Sequence, residues 1–356
     1  MNILGTGIIF SRGLGVAALE NALRAGWQPP DEIDLPRSAG LKRLVYQVNL
    51  DAVPDKTLLK KNRRSDKLSK MAVLAAADAL ADSGIAQTAD KRIGIILSTA
   101  FGAHVTTFDF LDGILDYGEA NVSPTTFSNS VHNAAAAYIS SSLNIKGPTL
   151  SITQFRFSFQ SALQLASAWL QQGRCDYVLA GAVDQYGAVL GYVADQKLCS
   201  APDGKIKPFT FSPTCHVPGE GAAFFLLGKA GPENMYCSVT AIHTGAEPDN
   251  PNPPDIDIID ADGMLPDESA YIAALRHGIP ATSYSPVFGS MMITSAFNIA
   301  AGALMLRNQS CYAAPVLDNP HNIRLLSESG KRAMKQIRCT GYNCYGDKSV
   351  IYLGRD

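Results

Sequence analysis

Apolar positions along the chain change their spacing repeatedly, and the changes mark out elements. Asn2 to Phe10 is an almost continuous apolar run, broken by glycine and threonine, of a length suited to a buried strand. From Leu14 to Ala25 the apolar residues fall at helical spacing. The pattern repeats as a helix over Leu68 to Ser83, a strand over Arg92 to Ser98 and an alanine-rich helix over Asn133 to Leu143. Gly84, just past the second of these helices, predicts a C-terminal cap, because glycine takes the left-handed conformation without steric cost. Strands alternating with helices predict a layered α/β architecture with buried sheets.

The most informative stretch runs from Pro148 to Val183. Gly147-Pro148 predicts a turn, Thr149 to Thr153 a strand, and Gln154 to Phe157 a sharp turn into a helix carrying Leu163, Leu165, Ala166, Trp169 and Leu170. Gly173 ends that helix, and Cys175 to Gly181 returns as a strand. Met235 to His243 reads as a strand opening a shorter second part, followed by a proline-rich acidic loop from Glu247 to Pro254, and Ser349 to Leu353 is the last strand. The chain thus divides into residues 1–232 and 233–356. A strand-first restart suits an ancient duplication, although no internal repeat can be aligned. Gly5-Thr6-Gly7 begins a glycine pattern, but Ile8-Ile9-Phe10 continues a strand and not a phosphate loop.

Composition narrows the function classes. Thirty lysines and arginines nearly balance 32 aspartates and glutamates with no basic run, which lacks the footprint of a nucleic-acid binder and points to protein or small-molecule partners. Seven cysteines, odd in number, scattered and never as C-x-x-C, predict reduced thiols and no metal site. The amino terminus has no basic leader, and no stretch approaches the roughly 20 apolar residues of a membrane span. A cytoplasmic protein without a cofactor is expected.

The turn between the strand and helix of the central unit is where a nucleophile gains from the positive end of the helix dipole. What stands there is Thr153-Gln154-Phe155-Arg156-Phe157-Ser158. This segment resembles the elbow of the β-ketoacyl synthases, T-A-C-x-S followed by a helix and a D-x-x-x-A-G-G strand. The spacing from Gly173, Asp176, Ala180 and Gly181 puts the family's cysteine at Arg156. Arg63-Arg64-Ser65-Asp66 is similar to the family's R-R-M-D segment, Val122-Ser123-Pro124 and Asn133 to its V-S-P and N-x-x-A-G positions, and Gly219-Glu220-Gly221-Ala222 to its G-E-G-A strand start. Each match is weak, but their order is specific. The resemblance implies a thiolase-like αβαβα fold of two related halves.

It also implies a replaced active site. Asp260-Ala261-Asp262-Gly263 resembles the family's H-G-T segment, with Asp262 in the histidine's place. Ala300-Ala301-Gly302-Ala303 resembles its A-A-G-A, which puts Ala296 at the second histidine and Met291 at the lysine. Arginine has no nucleophilic lone pair and stays protonated. A carboxylate at Asp262 would repel the enolate formed when malonyl decarboxylates, and Ala296 offers no donor. The positive charge of Arg156 sits poorly at a helix N-terminus and predicts a compensating anion: an ion pair with Asp262, or an anion contact for a carrier-protein phosphopantetheine or a partner subunit. The family's G-F-G-G-T-N end is degenerate as Gly341-Tyr342-Asn343-Cys344-Tyr345-Gly346-Asp347, which puts a normal acyl-channel mouth in doubt.

Such a frame without its nucleophile resembles the chain-length factor of type II polyketide systems, with a size and pattern similar to the aryl-polyene type. That resemblance implies an active ketosynthase subunit as heterodimer partner, and an acyl carrier protein with its phosphopantetheine reaching the complex. It also implies that Thr149, Leu150, Ser151, Ile152 and Thr153 pair across a two-fold axis. Phe108, Phe110, Thr126 and Phe127 fall in segments that line the family's acyl pocket; most are expected in the core, and Thr126 would leave room for a longer acyl chain. His104, His132, His216, His243, His277 and His321 all lack catalytic context and are expected in packing or surface roles. A Cys215-His216 dyad is disfavoured because strand neighbours face opposite ways. One rival reading is a thiolase-fold acyltransferase or hydrolase using Ser158 or a displaced cysteine. Another is a stand-alone acyl-binding scaffold that forms homodimers.

Overall fold

The structure, a computed structural model, describes residues 1–34, 42–85, 91–230, 235–247, 253–275 and 278–355. His277, residues 248–252 of the acidic loop and the 232/233 division lie outside the described residues.

Among the described residues ten strands form one continuous hydrogen-bonded path. The first five are β1 (Asn2–Phe10), β2 (Ile93–Thr99), β3 (Thr149–Thr153), β4 (Tyr177–Asp184) and β5 (Gly221–Gly228). The second five are β6 (Cys237–Thr244), β7 (Ile256–Ile259), β8 (Ala281–Thr282), β9 (Gln336–Tyr342) and β10 (Lys348–Gly354). From its outer edge, the first set runs β3-β2-β4-β5-β1; the second runs β8-β7-β9-β10-β6. Numbered within each set, the order is the same. The duplication that no alignment of the sequence reveals is therefore visible in the strand order. The sets meet where β1 pairs antiparallel with β6, through Asn2 opposite Ser238 and Ile3 opposite Cys237.

Two helices touch strands of both sets and so form the central layer: α5 (Ser158–Gln171) and α7 (Thr294–Asn308), taken in chain order after α1 (Val16–Ala25), α2 (Lys67–Asp82), α3 (His104–Tyr117), α4 (Ala134–Leu143) and, between α5 and α7, α6 (Ala188–Lys197). In α7 every residue from Thr294 to Leu306 is buried. A helix apolar all round is the expected sequence for an element covered on every side. Helices α2 and α4 cover the outer face of the first set. The outer face of the second set is closed by Phe209, Phe211, Ile259 and Tyr271. The layers are those of the expected αβαβα fold.

β1 and β3 have the predicted bounds, and the predicted helices and strands otherwise differ by a few residues at their ends. Asp66 caps α2 by accepting from the Ser69 N–H at 2.9 Å, and Gly84 beyond its end has φ +64. Gly5 and Gly7 lie within a strand, not a phosphate loop. A Cβ at Gly7 would fall 2.0 Å from the Ala75 carbonyl oxygen, so these glycines let α2 press directly onto the β1 backbone.

Candidate functional site

The site forms where β3 turns into α5. The Gln154 N–H donates to the Thr99 carbonyl at 3.1 Å, the Phe157 N–H reaches back to the Phe155 carbonyl at 2.9 Å, and the helix starts with Ser161 bonded to Phe157. At the apex, Arg156 has φ +65. A left-handed non-glycine residue costs roughly 1–2 kcal/mol, so the surroundings must impose it.

What imposes it is visible. Arg156 is 5% exposed and Asp262, in the loop after β7, is wholly buried. Nη2 of Arg156 lies 2.7 Å from Oδ1 of Asp262, and Nη1 lies 3.3 Å from Oδ2. This is the anticipated ion pair, in two-pronged form. The Asp262 carboxylate also accepts from the Met264 N–H at 3.1 Å, the Met291 N–H at 3.2 Å and the Thr294 hydroxyl at 2.9 Å. Burial alone would lower the affinity of Arg156 for its proton, but the adjacent Asp262 charge and its hydrogen bonds outweigh this and push the guanidinium up.

Two further buried carboxyls, which sequence reasoning missed, surround the pair. Glu268 accepts from the backbone N–H groups of Asp262 and Gly263 at 3.2 and 3.0 Å. Burial, reinforced by the Asp262 charge, pushes its carboxyl up to about 8. Asp260 accepts from the Asn298 amide at 2.7 Å, and burial pushes it up to about 7. Asp262 is the carboxylate that Arg156 contacts directly, through both of its oxygens. A D-x-D followed by E six residues after its second aspartate is the only trace of this cluster in the sequence.

Arg156, Asp262 and Met291 are thus brought together, with Ala296 close by in the first turn of α7, wholly buried in the same core as Met291 and Phe159. Ser158 is buried, and its hydroxyl has no hydrogen-bond partner among the described residues. His216 is buried with Nδ1 2.9 Å from the Cys199 carbonyl oxygen, so it does not serve Cys215. His132 meets the Thr153 hydroxyl at 2.9 Å, and His321 approaches the Thr210 carbonyl. The degenerate glycine segment closes a turn between β9 and β10, and the Tyr342 N–H there donates to the Tyr271 hydroxyl oxygen at 3.2 Å. Met264, Met291 and Met292 face a cavity of about 260 Å³, whose opposite wall is α6. Among the described residues no cluster of histidine, cysteine and carboxylate side chains is arranged to hold a metal.

Among the described residues β3 is the outer edge of its sheet, pairing only with β2, in parallel. Leu150 on it and Phe155 just beyond it are 43% and 56% exposed. One expectation is corrected here. Phe127 is not core but 58% exposed, because its short helix, Pro124–Asn129, lies on the surface; the ring packs against Phe110 of α3, centroids 5.4 Å apart. Phe108, Phe110 and Thr126 are half-buried.

The family model described as the β-ketoacyl synthase N-terminal domain matches residues 2–231, well over half of the chain. This chain belongs to the β-ketoacyl synthase family. Nodulation protein E of Rhizobium meliloti (strain 1021) is 25% identical over 228 residues, which is 63% of this chain and 56% of that protein. The 3-oxoacyl-[acyl-carrier-protein] synthase 2 of Staphylococcus aureus is 26% identical over 242 residues, 63% of this chain and 59% of the relative. The chain therefore spans a little over half the length of these curated relatives.

Solved structures extend the likeness of fold to the whole chain. The ishigamide ketosynthase/chain length factor superposes with a TM-score of 0.83 at 16% identity, covering 100% of this chain and 98% of the other. A β-ketoacyl synthase from Burkholderia phymatum gives 0.81 at 17%, covering 100% and 99%. A type II polyketide ketosynthase solved in complex with its acyl-carrier protein gives 0.79 at 16%, covering 100% and 99%. Among the described residues no helix is long and apolar enough to cross a membrane.

Proposed function

We propose that this chain is a non-condensing, chain-length-factor-like subunit that pairs with a cysteine-bearing β-ketoacyl synthase in polyketide or fatty-acid-like biosynthesis. The observation that carries the reading is the Arg156–Asp262 pair at the elbow. A guanidinium tied to a buried carboxylate can neither attack a thioester nor accept the negative charge of a decarboxylating malonyl group next to Asp262. Met291 and Ala296 supply neither the lysine nor the histidine function. In this reading residues 1–232 and 233–356 are the two ketosynthase-like halves, the second shortened, and the product class is of the aryl-polyene type.

The partner surface is the β3 edge. An edge strand with unpaired backbone groups and exposed apolar side chains is a template for another strand, and Thr149, Leu150, Ser151, Ile152 and Thr153 would pair with the same element of the active subunit. Phe108, Phe110, Thr126 and Phe127 would then face the partner's acyl tunnel. An acyl carrier protein would deliver its phosphopantetheine-bound chain to the active subunit, and the assembly would work in the cytoplasm. Co-expression with a cysteine-bearing ketosynthase tests this: a stable one-to-one heterodimer, and no acyl turnover by this chain alone, are the expected results. Acyl transfer by the isolated chain would refute the proposal.

A further inference from the structure

Two thiols 16 residues apart in sequence meet beside the 260 Å³ cavity. Cys199 lies just beyond α6, and Cys215 begins the segment that runs through His216, Pro218 and Gly219. The two stretches lie side by side: the His216 N–H donates to the Cys199 carbonyl at 2.8 Å and the Ala201 N–H to the His216 carbonyl at 3.0 Å. The Cys215 thiol donates to the Cys199 sulfur at a sulfur–sulfur distance of 3.1 Å. A disulfide needs about 2.0 Å, so the two sulfurs must close by about 1 Å.

The placement gives the pair a consequence. Leu190, Val193 and Leu198 belong to one wall of the cavity, His216, Pro218 and Met291 to the other. Cys199 is at the end of the first wall and Cys215 at the start of the second. The second wall is also seated on the ion-pair loop, since a Cβ at Gly263 would fall 2.2 Å from the Cys215 carbonyl oxygen. Cys199 is exposed and Cys215 half-buried, with burial and the neighbouring sulfur pushing the Cys215 thiol up to about 11. The exposed Cys199 is thus the sulfur that an oxidant meets first.

We propose that Cys199 and Cys215 form a redox-modification site, in which a low-molecular-weight disulfide such as oxidised glutathione converts the two thiols into a clasp between the walls of the cavity. The Cys199 thiolate attacks one sulfur of glutathione disulfide and releases one glutathione thiolate. Cys215, losing its proton to solvent, then displaces the second glutathione from the mixed disulfide. Two protein thiols are oxidised and one glutathione disulfide is reduced to two glutathiones. Four of the other cysteines, Cys175, Cys237, Cys311 and Cys339, are buried, while Cys344 is exposed and serves as an internal control. The site is independent of whether the chain acts as a partner subunit.

Peptide mapping of the whole chain after equilibration in oxidised and in reduced glutathione tests the site. The expected result is a Cys199–Cys215 cross-linked peptide in the oxidised sample, with Cys344 carrying glutathione. C215S should instead retain a stable glutathione on Cys199. Amide hydrogen exchange over residues 188–198 should slow at least about tenfold on oxidation of the natural chain and remain unchanged in C215S. Glutathione held on Cys199 beside a free Cys215 in the natural chain, no reaction at Cys199, or equal exchange in both states would overturn it.

Discussion

Arg156 keeps a left-handed backbone at the elbow while its guanidinium reaches across to Asp262 at 2.7 Å, so one residue closes the turn in the first strand set and pins it to a loop of the second. The geometry that would expose a nucleophile is retained, and the side chain mounted on it serves an electrostatic contact between the two halves of the chain.

Removing one member of that pair leaves the other charged and buried. R156A and D262A should each lower the unfolding free energy by about 3–5 kcal/mol, while R156M combined with D262L should recover most of the loss. R156G should be less harmful than R156A by about 1 kcal/mol, because glycine relieves the left-handed strain. Urea unfolding of the variants measures all of these; additive losses in the double variant would contradict the pairing.

Restoring the sulfur should not restore the chemistry. R156C places a thiol at the elbow but leaves Asp262, Met291 and Ala296, so neither donor nor general base is recovered. Mass spectrometry after incubation with an acyl-carrier thioester should detect no condensation product from R156C.

Stability should fall with rising pH because of the buried acids. The Glu268 carboxyl has an ordinary value of 4.5 and titrates at about 8 when folded, so the native state holds its proton more tightly. Its contribution is complete below pH 4.5 and is lost progressively as the pH rises through about 8. Asp260 acts in the same sense between 3.8 and about 7. Melting temperature should therefore drop between about pH 4.5 and 8, and E268Q, which keeps an acceptor for the two loop N–H groups, should flatten the profile. A profile unchanged by E268Q would contradict the assignment.

The edge strand gives a binding prediction. Leu150→Glu places a charge on an exposed apolar position of β3 and should weaken a heterodimer with an active ketosynthase at least tenfold, about 1.4 kcal/mol, without lowering the melting temperature of the isolated chain. Analytical ultracentrifugation of the mixed subunits reads the effect.

Thr126→Phe should shorten the product of the reconstituted pair, because the aromatic ring would fill space that the smaller side chain leaves for the far end of an acyl chain. Chromatography of the released products checks it, and an unchanged chain length would remove Thr126 from the tunnel.

The sequence carried some of this more openly than the rest. β1 was legible because Asn2 to Phe10 is an almost continuous apolar run, β3 because Gly147-Pro148 marks the turn before it, and Arg156 and Asp262 because each interrupts an ordered motif. The strand order of the second half was not, since Ile256–Ile259 and Ala281–Thr282 are too short to carry a periodic signal. Asp260 and Glu268 look like ordinary loop acids until burial shifts their titration. Cys199 and Cys215 sit in irregular segments, so only the folded path of the chain brings their sulfurs together. Phe127 shows the opposite failure: an aromatic residue suggests a core position, but a short surface helix leaves it uncovered.

The bare β3 edge, with Leu150 and Phe155 facing outward, also bears on how the chain must be produced. Copies made in excess would have open strand edges free to stack on one another, and stacking of that kind is a route to precipitation. In the proposed heterodimer, synthesis of this chain in step with its partner would keep that edge covered, and an excess of either subunit would leave it open.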